Sequence, residues 1–199
     1  MPSRRLGRSL GIDLVPSKTC TYDCLYCQVG RTTQKTIERK NWISADEIIA
    51  ELKNKLSSKP DFITLSGSGE PTLNSGCGLL IEKIKQITDV PVAVITNGSL
   101  LFMPDVRNDI KRADVVMPTL VAGDEEMFKK INRPAPQITF DKMLGGLIDF
   151  RKEYTGKYWL EVFIVAGIND SDCASHSQPV STGFNTPTRI YEVRPVHSR

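Results

Sequence analysis

A regular alternation of short apolar strands and amphipathic helices is the feature that most constrains the fold of this chain. Five strand-like segments recur between residues 10 and 165, and helix-like segments separate them. Strands connected through helices pair in parallel with right-handed crossovers, and sites in such sheets lie at the carboxyl ends of the strands. The pattern therefore predicts an α/β fold with a parallel sheet.

The predicted strands are bounded by proline, glycine and other turn residues, and they cover residues 10–15, 61–65, 90–95, 114–117 and 159–165. The predicted helices carry apolar stripes and cover residues 44 to about 60, 79–87, 105–112, 125–131 and 141–152. Ser44 and Glu47 at the start of the first helix match the Ser-x-x-Glu pattern of a capping box.

The composition is that of an ordinary globular protein. The chain has 199 residues, 40% of them hydrophobic and 25% charged, which suits one domain with a sizeable core. We expect a cytoplasmic protein without a membrane contact, because no apolar run reaches membrane length and no apolar h-region follows the N-terminal arginines. The net charge of +3 is too small to indicate nucleic-acid binding by itself.

Three of the five cysteines, Cys20, Cys24 and Cys27, fall within eight residues. An odd number of closely spaced thiols does not fit a disulfide framework. Zinc normally takes four ligands, yet His176 and His197 stand alone near the far end. An iron-sulfur cluster fits better, because three thiolates on a four-iron cluster leave one iron with an open coordination position.

The Cys-x-x-x-Cys-x-x-Cys pattern, with Tyr26 before the third cysteine, resembles the signature of the radical S-adenosylmethionine (SAM) enzymes. The resemblance implies that Cys20, Cys24 and Cys27 bind a [4Fe-4S] cluster and that S-adenosylmethionine binds its open iron. A reduced cluster then cleaves the cofactor to a 5′-deoxyadenosyl radical, which abstracts hydrogen from substrate. Tyr26 is expected near the adenine, or else as loop packing.

The same resemblance implies a partial (βα) TIM-like barrel of about six units, of which this chain offers five clear units and an incomplete sixth. We expect residues 1–170 to form the radical SAM core and residues 171–199 an irregular or truncated tail. Residues 171–188 show no helical face, and only residues 189–193 read as a further short strand. The fifth strand is therefore expected to be a poorly covered edge.

A glycine-containing turn follows the second strand and contains Gly67, Ser68, Gly69 and Glu70. Glycines at a strand exit let the backbone approach a ligand closely, and a carboxylate can meet an ammonium group. The turn resembles the Gly-Gly-Glu motif that receives the methionine amino group in the family. Ser68 stands where the commonest form of that motif has glycine.

Three polar residues follow the later strands. Asn97 belongs either to a plain Asn-Gly turn or to a cofactor contact. The resemblance implies that Thr119 lies near the ribose and that Asn169 lies beside the nucleoside. Arg133 precedes Pro134 and is predicted to be extended, so that it meets a substrate anion or a surface carboxylate.

Two basic runs flank the cysteines, one with Arg4, Arg5 and Arg8 and the other with Arg31, Lys35, Arg39 and Lys40. They are interpreted either as a solvated surface or as an RNA phosphate contact.

Within the superfamily, the residues around the first two strands look most like iron-sulfur oxidoreductases related to the wyosine-type tRNA-modifying enzymes. The resemblance implies a radical enzyme that acts on a tRNA nucleoside or a small molecule, with flavodoxin or ferredoxin as electron donor. A glycyl-radical activase that acts on a partner protein and a non-catalytic iron-sulfur protein are the alternatives. Cys77 and Cys173 receive no role, because solitary thiols usually behave as small apolar side chains.

Overall fold

The computed structural model describes residues 2–3, 6–165, 167–170 and 188–192. Its strands, in chain order, are β1 (Pro2–Ser3), β2 (Gly7–Ile12), β3 (Thr19–Cys20), β4 (Gln34–Lys35), β5 (Phe62–Leu65), β6 (Val92–Thr96), β7 (Val115–Leu120), β8 (Lys157–Phe163) and β9 (Thr188–Glu192). Its α-helices are α1 (Ala45–Lys55), α2 (Cys77–Ile87), α3 (Pro104–Ile110), α4 (Glu125–Asn132) and α5 (Phe140–Glu153).

The described residues form a seven-stranded sheet in the order β1-β2-β5-β6-β7-β8-β9. The five inner strands are parallel, and each is joined to the next through at least one helix. Within the described residues this sheet does not close on itself, because β1 and β9 lie at its two edges. The predicted α/β fold with a parallel-stranded partial barrel is confirmed.

Successive side chains along each strand point to opposite faces of the sheet. Leu65, Val94 and Val116 are fully buried and belong to the same apolar core as the inward faces of the helices. Ala93 and Val115 point to the other face and pack in a smaller cluster with Leu6, Phe62, Ile95 and Trp159. The helices therefore cover one face, and the other is the concave face of the partial barrel.

The first strand begins and ends three residues earlier than predicted, at Gly7–Ile12. The chain leaves the sheet after Ile12, and the Asp13 side chain accepts hydrogen bonds from Ser68 in the neighbouring loop. At α1, Ser44 accepts a hydrogen bond from the Asp46 amide, but no return bond from Glu47 is present, so only half of the predicted capping box forms.

The prediction of an uncovered fifth strand is wrong. β9 pairs antiparallel with β8, from Trp159 opposite Glu192 to Phe163 opposite Thr188. This pairing confirms the predicted late strand. Residues 171–187 and 193–199, with Cys173, lie outside the described residues, so the proposed boundary at residue 170 stays a prediction. In the described part of the chain, no helix is long and apolar enough to cross a membrane.

Candidate iron-sulfur and cofactor site

The cysteine loop lies at the carboxyl end of the parallel sheet, after β2. It begins in the short β3, where Thr36 N–H donates to Cys20 O over 3.0 Å. Thr32 closes the loop from the other side, because its hydroxyl donates to Tyr22 O at 2.6 Å and its amide donates to Asp23 Oδ1 at 2.9 Å. The backbone that carries the three cysteines is thus held by its own hydrogen bonds.

Two asparagine amides contact the cysteine sulfurs. Asn97 Nδ2 lies 3.5 Å from Cys20 Sγ and 2.8 Å from Thr21 Oγ1. Asn132 Nδ2, at the end of α4, lies 3.5 Å from Cys24 Sγ. N–H donors to cluster sulfurs orient the ligands and raise the reduction potential by favouring the more negative state. Asn97 was predicted near the site, whereas the contact of Asn132 was missed.

The three cysteines are free and partly buried. Burial, followed by the nearby Glu70 carboxylate, raises the pKa of the Cys20 thiol to about 12. Burial also raises the pKa of the Cys24 thiol to about 11, although a hydrogen bond from Asn132 lowers this pKa in part. A coordinated thiol is deprotonated outright, because the metal charge outweighs the cost of burial.

Three thiolates from one loop are a donor set of the kind that iron-sulfur clusters take. Among the described residues, no three His, Cys, Asp or Glu side chains converge closely enough to hold one metal ion. Zinc would need its thiolates about 2.3 Å from one centre. In a four-iron cluster each thiolate binds a different iron, so three cysteines spread around one loop, as Cys20, Cys24 and Cys27 are, suit it.

The glycine-containing turn packs directly against the cysteine loop. Lys18 N–H donates to Ser68 O at 2.7 Å, and Glu70 N–H donates to Thr19 O at 3.1 Å. The amide and hydroxyl of Ser68 both donate to Asp13 Oδ1, at 2.6 and 3.1 Å. The serine that departs from the family motif therefore binds the turn to the end of the first parallel strand.

Gly69 is required by this close approach. A Cβ at position 69 would lie 2.2 Å from Thr19 O and 2.6 Å from Val15 Cγ2. We expect Gly69→Ala to lower the free energy of unfolding by about 1–3 kcal/mol, because the turn has to move away from the loop. Gly11→Ala is the control, since a Cβ there meets nothing within 4 Å, and it should change stability by less than about 0.5 kcal/mol. Equal urea midpoints for the two variants would contradict the packing.

The Glu70 carboxylate is buried and receives four hydrogen bonds. Its Oε1 accepts from the Thr72 amide, from the Thr72 hydroxyl and from the Thr96 hydroxyl, at 3.1, 2.6 and 2.6 Å. Its Oε2 accepts from the backbone N–H of Asn97 at 2.8 Å. Burial raises the pKa of this carboxyl, and the four donors oppose that shift. Glu70 therefore joins the glycine-containing turn to the end of β6 and to Asn97.

The predicted contact of Glu70 with the methionine ammonium stays a prediction. Oε2 accepts only one hydrogen bond from the described residues, so it is the oxygen that can accept a further hydrogen bond from an ammonium group.

The remaining predicted cofactor residues lie on or beside β7 and β8. Tyr26 stacks on Phe163, with ring centroids 4.3 Å apart and an interplanar angle of 24°. Thr119 Oγ1 donates to Glu161 Oε2 at 2.9 Å on the concave face. Glu161 is 9% exposed and was missed, although an acid within the apolar run of residues 159–165 was a usable signal.

Asn169 joins the ends of two strands through its side chain. Its Nδ2 donates to Val121 O at 2.7 Å and to Phe163 O at 3.0 Å, and its Oδ1 accepts from Val165 N–H at 2.6 Å. The side chain thus holds the loop after β8. Its predicted contact with the nucleoside, like the predicted roles of Tyr26 and Thr119, stays a prediction.

Arg8 and Arg31, described members of the two basic runs, lie at opposite ends of the strands. Arg8 lies at the amino end of β2, 3.7 Å from Asp61, whereas Arg31 follows the cysteine loop at the opposite end of the strands. The Arg39 side chain is only 10% exposed and forms ion pairs with Asp105 and Asp109. Arg39 is therefore a structural residue. Arg4 and Arg5 lie outside the described residues.

The prediction that Arg133 is extended is wrong. Its φ of 46° and ψ of 59° are left-handed, because it ends α4 and its amide donates to Lys129 O at 3.2 Å. This conformation turns the chain from α4 into the loop that precedes α5.

Residues 14–177 match the family model described as the radical SAM superfamily. The chain belongs to the radical SAM superfamily. A UPF0026 protein of Methanocaldococcus jannaschii is 42% identical over 201 residues, which cover 95% of this chain and 62% of that protein. A solved structure of TYW1 with a lysine-pyruvate adduct bound has a TM-score of 0.59 at 20% identity, and the match covers 82% of this chain and 58% of that one. The predicted membership in the radical SAM superfamily is confirmed, and the chain is similar to TYW1 in fold.

Another relative carries the name of a different class of protein. The protein called GTPase Obg of Brachyspira hyodysenteriae is 53% identical over 171 residues, which cover 85% of this chain but 25% of that protein. The present sequence has no Gly-x-x-x-x-Gly-Lys-Ser/Thr loop, which P-loop GTPases use to hold phosphates. The similarity therefore does not rest on a phosphate-binding loop of that type. The chain spans between a quarter and about three fifths of the length of these two curated relatives.

Proposed function

We propose that this chain is the catalytic core of a radical SAM enzyme that binds a [4Fe-4S] cluster through Cys20, Cys24 and Cys27. The observation that supports it best is the convergence of three elements at the carboxyl end of the sheet. These are the cysteine loop, the turn of residues 67–70, and Asn97, which links them through Cys20 Sγ and Glu70. With S-adenosylmethionine bound and one electron supplied by a reductant, such a site would provide a 5′-deoxyadenosyl radical for hydrogen abstraction.

Side chains around the proposed site orient the cysteine ligands and the turn of residues 67–70, and they exclude water from it. Asn97 and Asn132 orient Cys20 and Cys24 through amide contacts. Glu70 fixes Asn97, so that the ligand loop and the cofactor turn keep one geometry. Tyr26 and Phe163 form a stacked aromatic pair beside the cysteines, which limits the access of solvent to the site.

The proposed substrate is a tRNA nucleoside or a small molecule with similar hydrogen-bonding groups. Thr119 and Glu161 place a hydroxyl and a carboxylate, joined by a hydrogen bond, on the concave face. Carboxylates accept hydrogen bonds from the amino groups of bases, so Glu161 is the residue proposed to meet such a group. We place the reaction in the cytoplasm, with a flavodoxin or a ferredoxin as the source of electrons.

The test is anaerobic reconstitution with iron and sulfide, followed by dithionite and S-adenosylmethionine. We expect 5′-deoxyadenosine to form in a reaction that needs both dithionite and iron, measured by liquid chromatography and mass spectrometry. No 5′-deoxyadenosine from a preparation with a full iron complement would contradict the proposed function. Added transfer RNA should increase the yield, and an unchanged yield would contradict the nucleoside substrate.

A further inference from the structure

A cleft of about 310 Å³ lies beside the end of α4 and is lined by basic side chains from separate parts of the chain. Lys35 comes from β4, Lys129 from the last turn of α4, and Arg133 from the residue that ends this helix. The rest of the lining is Glu125 and residues of the loop between α4 and α5. No cysteine and no residue of the turn 67–70 lines the cleft, so the inference stands apart from the proposed function.

The side chains that line the cleft carry a net positive charge, because three basic groups face the single carboxylate of Glu125. Both oxygens of this carboxylate already have partners. Its Oε1 pairs with Lys129 at 3.0 Å, and its Oε2 accepts from the Phe140 N–H at 2.6 Å. Lys35 forms no ion pair with a described residue, and its Nζ donates to Arg133 O at 3.1 Å. The charges of Lys35 and Arg133 are therefore not neutralised by a carboxylate in the cleft.

The Arg133 guanidinium has hydrogen-bond donors to offer to a ligand. Its side chain is 47% exposed, and the nearest carboxylate among the described residues, that of Asp23, lies 4.0 Å away, beyond hydrogen-bond distance. Asp23 also lies 3.8 Å from Arg31, so its charge is shared between two arginines. A guanidinium presents its N–H donors in a planar fork that fits the oxygens of a phosphate or carboxylate.

The backbone of Arg133 supports a role for its side chain. With a φ of 46° and a ψ of 59°, this residue is left-handed. Glycine is the usual residue in this conformation at a helix end, because a Cβ is strained there. Helix termination alone would therefore favour glycine at position 133. Strained backbone of this kind is found preferentially at binding sites, where the side chain has a function.

The cleft is joined to the cysteine loop on two sides. Lys35 lies opposite Cys20 in the pairing of β4 with β3. On the other side, Asn132 directly precedes Arg133, and its Nδ2 lies 3.5 Å from Cys24 Sγ. A ligand held between Lys35 and Arg133 therefore connects the two segments that contact the cysteine loop, and its binding should stabilise the folded protein.

We propose that this cleft is a phosphate-binding site. A phosphate group carries nearly two negative charges and three strong acceptor oxygens, which matches the two basic groups that no carboxylate in the cleft neutralises. Its oxygens point in different directions and can accept from Lys35 and Arg133 together, although these residues belong to different elements. The phosphate belongs either to a mononucleotide or to the backbone of a polynucleotide.

The experiment measures the melting temperature of the reconstituted protein in rising concentrations of sodium phosphate, against sodium chloride of equal ionic strength. A ligand that binds only the folded state raises the melting temperature with its concentration, which gives the Kd. Arg133→Gly removes the guanidinium and suits the left-handed backbone, so this variant should be at least as stable as the parent without phosphate. Lys59→Gly is the matched control, because Lys59 is also an exposed basic residue with a left-handed φ, of 50°, and lies outside the cleft.

We expect Arg133→Gly to raise the Kd for phosphate about tenfold, because it removes charge-assisted hydrogen bonds. Lys35→Gln should have an effect of similar size, and Lys59→Gly should stay within about twofold of the parent. A parent that phosphate stabilises no more than chloride does would overturn the proposal. Equal Kd values for Arg133→Gly and Lys59→Gly would overturn it as well.

Adenosine 5′-monophosphate and transfer RNA distinguish the two sources of the phosphate. Tighter binding of the mononucleotide than of inorganic phosphate, weakened by Arg133→Gly alone, supports a nucleotide ligand. Transfer RNA binding that falls with salt and is weakened by Arg133→Gly alone supports a polynucleotide. Binding that both glycine variants weaken equally would contradict a site in this cleft. None of these measurements needs turnover, so a failure to form 5′-deoxyadenosine would count against the proposed function and leave this test intact.

Discussion

Glu70→Leu is expected to lower the free energy of unfolding by about 3–5 kcal/mol. The substitution removes the acceptor of four hydrogen bonds and leaves the donors of Thr72, Thr96 and Asn97 buried without a partner. Each unsatisfied buried donor costs about 1–3 kcal/mol, partly offset by relaxation and by the lost cost of burying the carboxylate. For a chain of this size the melting temperature should fall by roughly 6–20 °C.

Glu70→Gln separates the charge from the shape of the side chain. The side-chain oxygen of the glutamine can replace Oε1 as the acceptor for three donors, but its NH₂ group then faces the backbone N–H of Asn97. The free energy of unfolding is therefore expected to fall by an intermediate amount, about 1–2 kcal/mol. Glu82→Gln is the control, because Glu82 is half-exposed and pairs with Arg112 at the surface, and it should stay within about 0.5 kcal/mol of the parent. A melting temperature for Glu70→Leu equal to that of the control would show that these hydrogen bonds do not stabilise the fold.

The sequence was sufficient to predict the parallel sheet and the position of the cysteine loop. Both depend on local information, since apolar alternation defines a strand and the chain order of strands and helices defines the topology. The position of Asn97 could be predicted for the same reason, because a residue that directly follows a parallel strand lies at the edge where the other loops meet.

The missed features depend on contacts between residues far apart in the chain. Asn132 contacts a cysteine 108 residues earlier, and Arg39 pairs with acids 66 and 70 residues later. No local pattern distinguishes these side chains from solvated ones. The antiparallel pairing of β9 with β8 was also missed, because hydrophobic pattern indicates a strand without indicating its neighbour or its direction.

Cys24→Ala is expected to remove most of the iron from the reconstituted protein. The cysteine loop supplies three thiolates, and two are too few to hold a four-iron cluster against competing chelators. Loss of the cluster should reduce 5′-deoxyadenosine formation more than a hundredfold. Cys77→Ala is the matched control, because Cys77 is 1% exposed in α2, belongs to the core, and should cost about 1 kcal/mol of stability without loss of iron.

The most direct test of the account is the iron content per folded chain of these two variants, prepared side by side under anaerobic conditions. Binding through Cys20, Cys24 and Cys27 predicts about four irons for the parent and for Cys77→Ala, and less than about one for Cys24→Ala. Circular dichroism shows whether each variant is folded. Equal iron in folded Cys24→Ala and Cys77→Ala would contradict the assignment of the cluster to the cysteine loop.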